Sequence, residues 1–248
     1  MKKVLCLAFL LGSYLGFSQE NQEEIVAYPI ESKNLVKINA MALAMGNVSL
    51  QYERLITPKF TIGASVNMMS ERGLPFSSKI EDFVDDKTTA AQLQGIRISS
   101  FSITPEARFY FGKESFKGFY IAPFVRYASY DLTFPVDYEY EGHELQMDVA
   151  GKLNAISGGF AVGAQWKLTK NLYLDWMIVG PHFGSVKGDL TGQKSLNEYE
   201  QIAINKALTD LDIPFYEYTY EVNENGTKIK VDGPWAGMRA SLSVGYRF

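Results

Sequence analysis

Cysteine is almost missing from this chain of 248 residues, and the one present, Cys6, lies inside the apolar stretch "VLCLAFLLGSYLGF". That stretch follows the basic Met1-Lys2-Lys3, is too short and wrongly flanked for a membrane helix, and runs through Gly16 and Ser18 into acidic "ENQEE". The pattern is that of a secretory signal peptide over residues 1–19, cleaved near Ser18 or Gln19. A lipidated cysteine would stand at the cleavage point, and Cys6 does not. The exported chain is therefore expected to have no disulfide, no thiolate metal site and no thiol nucleophile. No cofactor and no metal ligand set is expected.

Long apolar runs are missing as well. Beyond residue 19 nothing approaches the ~20 apolar residues that a spanning helix needs. Positive charge is lacking too: the formal net charge is −4, and −6 once Lys2 and Lys3 are removed, which excludes nucleic acid as a partner. Aromatic residues, in contrast, are plentiful, with 15 Tyr, 16 Phe and 3 Trp. A soluble β protein and a membrane barrel would both show this, because only alternate residues of a barrel strand face lipid.

Alternation decides between them. The chain closes on "WAGMRASLSVGYRF", in which Met238, Ala240, Leu242, Val244, Tyr246 and Phe248 alternate with Arg239, Ser241, Ser243, Gly245 and Arg247. The same period of two recurs in segments long enough to cross a bilayer as tilted strands of roughly 9–11 residues. "NLVKINAMALAM" places Val36, Ile38, Ala40, Ala42 and Ala44 outward, and "NVSLQYER" places Val48, Leu50 and Tyr52 opposite Ser49, Gln51 and Glu53. "KFTIGASVNMM", "SSFSITPEARFYF", "GFYIAPFVRY", "NAISGGFAVGAQWKL" and "NLYLDWMIVG" follow the same rule, and the closing strand makes eight. Open sheet edges do not survive in hydrocarbon, so the last strand is expected to pair with the first.

The connections agree. Thr57-Pro58-Lys59, "GKESFKG" and Thr169-Lys170-Asn171 are short. Of the alternate set, only Met45-Gly46-Asn47 is tight, and the others run to about 27, about 20 and nearly 50 residues. Short turns on one side and long loops on the other fit a barrel with both termini in the periplasm. Tyr52, Phe60, Phe109, Phe111, Phe119, Trp166, Tyr246 and Phe248 all fall beside the short turns or the C-terminus, as an inner aromatic girdle would.

The expected fold is thus an all-β, closed, up-and-down antiparallel barrel of eight transmembrane strands in the bacterial outer membrane. It comprises a periplasmic N-terminal tail over 20–33, the barrel over 34–248, and a long external loop over 185–233. Its partners are expected to be outer-membrane lipid, the barrel assembly machinery, which would read Tyr246 and Phe248, and a protein at the external loops. The segments "NLVKINAMALAMGNVSLQYER", "ITPEARFYFGK", "GFYIAPFVRY" and "LDWMIVGPHFG" resemble those of a domain-of-unknown-function family of small eight-stranded outer-membrane β-barrel proteins. The likeness is most specific in "SLQYER" and "GPHFG", and Met177 stands where a second Trp would follow Trp176. The family implies a barrel and brings no activity, so no functional residue is carried over.

An eight-stranded barrel has room inside only for side chains or one small ligand. The strand registers turn Lys37, Glu53, Glu106, Arg108, Arg126, Asp175 and Arg239 inward: four cations against three carboxylates. Such a set serves as a paired polar core that fixes the register, or it lines a gated ion path. His182 in "GPHFG", followed by Ser185 and Asp189, invites comparison with acyltransferases of the barrel rim, although no nucleophile motif frames them. Gly180-Pro181 and Gly184 read more simply as a strand-end bend. His143 is expected at the tip of the third external loop.

That leaves the loops. Ser195-Leu196-Asn197-Glu198 has the form of a capping box, with a helix carrying Leu196, Tyr199, Ala203, Ala207 and Leu211 on one side and ending before Pro214. "FYEYTYEV", "NENG" and "TKIKV" read as a hairpin, and the strands around Glu141-Gly142 as another. Two functions are open for this chain: a non-enzymatic surface module whose loops meet a partner or merely cover the barrel mouth, and a narrow pore or small-ligand transporter.

Overall fold

Every second residue of the expected segments is β-branched, aromatic or aliphatic, a composition that packs on a pleated surface. In the computed structural model of the protein, residues 32–73, 95–209 and 217–248 are described. They form nine antiparallel strands and two short helices: β1 (Asn34–Asn39), α1 (Ala40–Ala44), β2 (Asn47–Thr57), β3 (Phe60–Gly73), β4 (Arg97–Tyr110), β5 (Gly118–Tyr140), β6 (His143–Lys167), β7 (Leu172–Gln193), α2 (Glu198–Thr209), β8 (Glu217–Asn223) and β9 (Gly226–Arg247). The expected signal peptide, the start of the N-terminal tail, most of the connection after Met69, and Leu211 and Pro214 lie outside the described residues.

β1 to β7 pair each with the next, β7 pairs with β9, and β9 returns to β1, so the sheet is ring-like. β8 is added to the far end of β9 alone. The return is in register from Leu35↔Arg247 to Asn39↔Ser243, and Phe248 extends it by exchanging backbone hydrogen bonds with Asn34 at 2.9 and 3.1 Å. The expected faces are the observed ones. Val48, Leu50 and Tyr52 are exposed while Ser49 and Glu53 are buried, and Phe101, Ile103 and Phe109 are exposed while Ser102, Thr104, Glu106 and Arg108 are buried.

Three local expectations are corrected. The first strand ends at Asn39 rather than running through Ala44, and Ala40, Ala42 and Ala44 belong to α1. Met41 and Leu43 make both faces of this stretch apolar, so alternation carries no information there, while Ala, Met and Leu favour a helix. Asn39 caps that helix by accepting a hydrogen bond from the Ala42 N–H at 3.1 Å.

The capping box of α2 lies two residues later than expected. Asn197 Oδ1 accepts from the N–H groups of Tyr199 and Glu200, and Glu200 Oε2 accepts from the N–H of Asn197. The buried side is consequently Leu196, Ile204 and Leu208, and Tyr199 points out at 72% exposure. Finally, β7 and β9 remain paired to Gln193↔Gly226. Residues 185–193 and 226–233 therefore continue the ladder, and the insertion is 194–225.

The β5–β6 hairpin turns at Glu141 and Gly142 with φ of 53° and 71°, the conformation a two-residue hairpin demands. His143 follows that turn directly. The hairpin, α2 and the far ends of β7 and β9 enclose a second core, with Tyr138, Met147, Val149, Leu190, Leu196, Ile204, Leu208 and Ile229 buried together. This cap stands on its own packing. Ile204→Ala removes a fully buried side chain at a cost of roughly 2–5 kcal/mol. Faster tryptic cleavage after Lys206 is expected, with the ring unaffected in circular dichroism; an unchanged cleavage rate would mean the cap does not depend on this core.

Candidate functional site

Inward-facing residues of the ring meet across its interior, so residues far apart in sequence become neighbours. Lys37 on β1 is the centre. Its Nζ lies 2.5 Å from Glu53 Oε2, an ion pair outside hydrogen-bond geometry, and donates to Asp175 Oδ2 at 2.6 Å and Gln165 Oε1 at 2.8 Å. Arg108 on β4 donates Nε to Glu106 Oε1 and Nη1 to Asp175 Oδ2, both at 2.6 Å, with Glu53 Oε2 at 3.6 Å from Nη1. All five charged residues are buried.

Neutral donors complete the arrangement. Thr61 and Tyr110 donate their hydroxyls to Glu53 Oε1 at 2.6 and 2.7 Å, Tyr120 donates to Asp175 Oδ1 at 2.8 Å, and Gln51 donates to Glu106 Oε1 at 2.7 Å. The Arg108 guanidinium also sits 4.3 Å from the centre of the Tyr120 ring. Two glycines make the space. A Cβ on Gly163 would lie 2.4 Å from the Tyr120 hydroxyl, and one on Gly245 would lie 2.8 Å from Lys37 Cγ. Towards the short turns, Leu35, Leu55, Phe116 and Tyr173 form an apolar floor. Phe116 holds a positive φ of 59°, and its carbonyl accepts from Gln165 Nε2 at 2.9 Å. Sequence alone singles out neither the floor nor the hydroxyl donors: inward strand register is a signal for Leu35, Thr61, Tyr110 and Tyr173, whereas Phe116 lies in the turn between β4 and β5.

Of the seven inward charges, Lys37, Glu53, Glu106, Arg108 and Asp175 are thus brought together. Arg239 is at the edge of this group, 3.6 Å from Glu106 Oε2 and 3.4 Å from Ser65 Oγ, with its guanidinium 4.5 Å from the Phe124 ring centre. Arg126 is apart from it, with a single 3.3 Å hydrogen bond to Thr104 Oγ1 and no ion pair among the described residues. Tyr246 and Phe248 face outward at 54% and 52% exposure.

His182, Ser185 and Asp189 are not brought together. His182 turns inward, with its ring 6.1 Å from that of Phe124 and with Gly159 and Gly237 leaving it room, whereas Ser185 and Asp189 are exposed on the other side of β7. The rim acyltransferase comparison fails on this geometry. Among the described residues, no group of three or more His, Cys, Asp and Glu is placed to hold a metal ion, and no helix is long and apolar enough to cross a membrane.

Breaking the network from one side strands buried charge. Lys37→Met leaves Glu53 and Asp175 sharing one cation, at a cost of about 3–5 kcal/mol. Urea unfolding in detergent micelles should show this. The double variant with Glu53→Gln should lose less than the sum of the two single losses, by ~0.5–3 kcal/mol. Strict additivity would mean the pair is not coupled.

A family model described as "Protein of unknown function (DUF3575)" matches residues 22–189, consistent with the resemblance seen in the strands. No curated protein matches the chain. Among solved structures, the beta domain of the Bordetella autotransporter Brka is similar at 10% identity, over 88% of this chain and 99% of that one, with a TM-score of 0.28.

Proposed function

The chain belongs to the DUF3575 family of proteins of unknown function, and we propose that it is a closed eight-stranded transmembrane barrel of the bacterial outer membrane. Its short turns and termini are periplasmic. Its role is non-enzymatic: the barrel anchors the external cap and presents it to a protein partner.

One observation carries this reading. Every strand of the ring has a neighbour on both sides, while its outward face is apolar and exposed all the way round. Phe119, Phe160, Phe183 and Met238 are each 66% exposed or more. In water such a surface is an aggregation hazard. In lipid it is required, and ladder pairing on both edges is the only way strands satisfy their backbone there. The exposed Tyr52, Phe109, Phe111, Phe119, Tyr246 and Phe248 lie at the short-turn end, where an inner aromatic girdle belongs.

The interior supports an anchor over a pore. Lys37, Arg108, Glu53 and Asp175 meet across it, closing the lumen with paired charge. The cap supports presentation: α2 is held from below by Ile204 and Leu208 while Tyr199 and Ile202 stand on its outer side at 72% and 67% exposure. Planar-bilayer recordings are expected to show no ohmic steps, and steady conductance would favour the pore instead. Affinity purification from native membranes should retain a stoichiometric protein partner that Tyr199→Ser/Ile202→Ser releases. A partner that stays bound to this variant would remove α2 from the interface.

A further inference from the structure

Because β1 stops at Asn39, its ladders end at Ile38↔Leu50 on one side and Asn39↔Ser243 on the other. Past that level, residues 47–49 of β2 pair only with β3, and Met238, Arg239, Ser241 and Leu242 of β9 only with β7. The short helix α1 stands in the gap in place of a strand, packed against β2 and β9 with none of its own residues buried. Backbone outside a ladder is tolerated at membrane depth only where it is buried in protein or lines a watered cavity. A cavity of about 290 Å³ lies behind α1. It has room for roughly ten water molecules at ~30 Å³ each.

The lining of this cavity is one-sided in charge. Arg126 and Arg239 reach it and no carboxylate does. Of the four cations Lys37, Arg108, Arg126 and Arg239, Arg126 is the one without an ion pair among the described residues. Arg239 Nη1 is buried with no hydrogen-bond partner. Gln51, which also lines the cavity, has its amide nitrogen committed to Glu106. Arg126 is half-buried, and guanidinium donors left open as on Arg239 favour an oxyanion, which they hold with charge-assisted hydrogen bonds. The cavity also reaches the outward-facing Met238, Met41 of α1 and Met45 at its C-cap, all three exposed. Its polar end is inside the ring and its apolar end is in the seam between α1 and β9.

We propose that this cavity binds a single-chain anionic amphiphile, a fatty acid in the simplest case. The carboxylate sits on Arg126 and Arg239, and the alkyl chain leaves through the seam past Met41, Met45 and Met238. Thioethers suit that lining, because unbranched polarizable side chains adapt to a chain of variable length. The proposal rests on the barrel reading, since the seam leads to lipid only if the outward face meets lipid.

The test uses the full exported chain in phosphatidylcholine nanodiscs. Its folded state is checked beforehand by the mobility shift that boiling produces in a folded barrel on gel electrophoresis. cis-Parinaric acid fluorescence is then competed with hexadecanoate, hexadecanol and butyrate. Saturable one-to-one binding displaced by hexadecanoate alone is expected. Arg126→Gln should weaken it about tenfold, the loss of one charge-assisted interaction. Arg126 has only the Thr104 contact to lose, so this variant should keep the mobility shift. Equal competition by hexadecanol, or undiminished binding by both Arg126→Gln and Arg239→Gln, overturns the anion site. Equal competition by butyrate overturns the path through the seam. A chain without the mobility shift overturns the barrel reading and this proposal with it, whereas a shifted chain that binds nothing overturns this proposal alone.

Discussion

Five residue pairs between β1 and β9 complete the ring on which the rest of the structure depends. A sheet with an apolar exposed face has to satisfy its backbone within itself, and a six-residue strand supplies the return. That strand is also where the interior is organised. Its outward residues Val36 and Ile38 continue the apolar surface, and its inward residues Leu35 and Lys37 belong to the floor and the charge network. The β1–β9 pairing of the ring and its buried electrostatics are thus coupled through one short segment. Gly245, opposite Lys37 in the ladder, is part of the same coupling, since any larger residue would press on the lysine side chain.

Period-two patterning made the ring legible from the sequence, because one face of each strand is apolar and the other polar, so a slip of one residue would invert both. The inward positions of Glu53, Glu106, Arg108 and Asp175 followed from that alone. What failed did so for local reasons. In residues 40–44 both faces are apolar, and the choice passes from pattern to helix propensity and to the Asn39 cap. At 195–200 two overlapping capping boxes compete, Ser195 with Glu198 and Asn197 with Glu200, and spacing alone does not rank them. The partners inside the ring were not legible either. Which side chains meet across the interior depends on strand tilt and stagger, which no single segment encodes. Tyr110 and Tyr120 are examples, since their own strands do not reveal that their hydroxyls donate to Glu53 and Asp175.

The interior changes character along its length, and this gradient links the fold to the proposed roles. Nearest the short turns it is apolar and closed by Phe116 and Tyr173. Above the floor, opposite charges neutralise one another at hydrogen-bond distances. Further towards the cap the balance fails: Glu106 is already shared by Arg108, Gln51 and Arg239, and nothing acidic is left for Arg126. Taking a guanidinium out of water is costly unless a partner or a watered space receives it. The cavity behind α1 offers Arg126 such a space, so the cavity and the cation without an ion pair are two aspects of one arrangement.

A paired floor and an unpaired roof also decide what kind of device this interior is. A conduction path needs continuity from end to end, with binding weak enough at each station for release. Here the lower half binds its own side chains so closely that nothing passes without breaking several buried ion pairs. The upper half has vacant donors and a lateral way out. Such an interior suits the proposed occupancy from one side better than transmission to the other. The cap is packed on strands that continue from the same ring, which suits an anchor for a partner. The two proposed roles, presentation by the cap and occupancy of the cavity, draw on one cause: the network around Lys37 fills the lower part of the ring with paired charge.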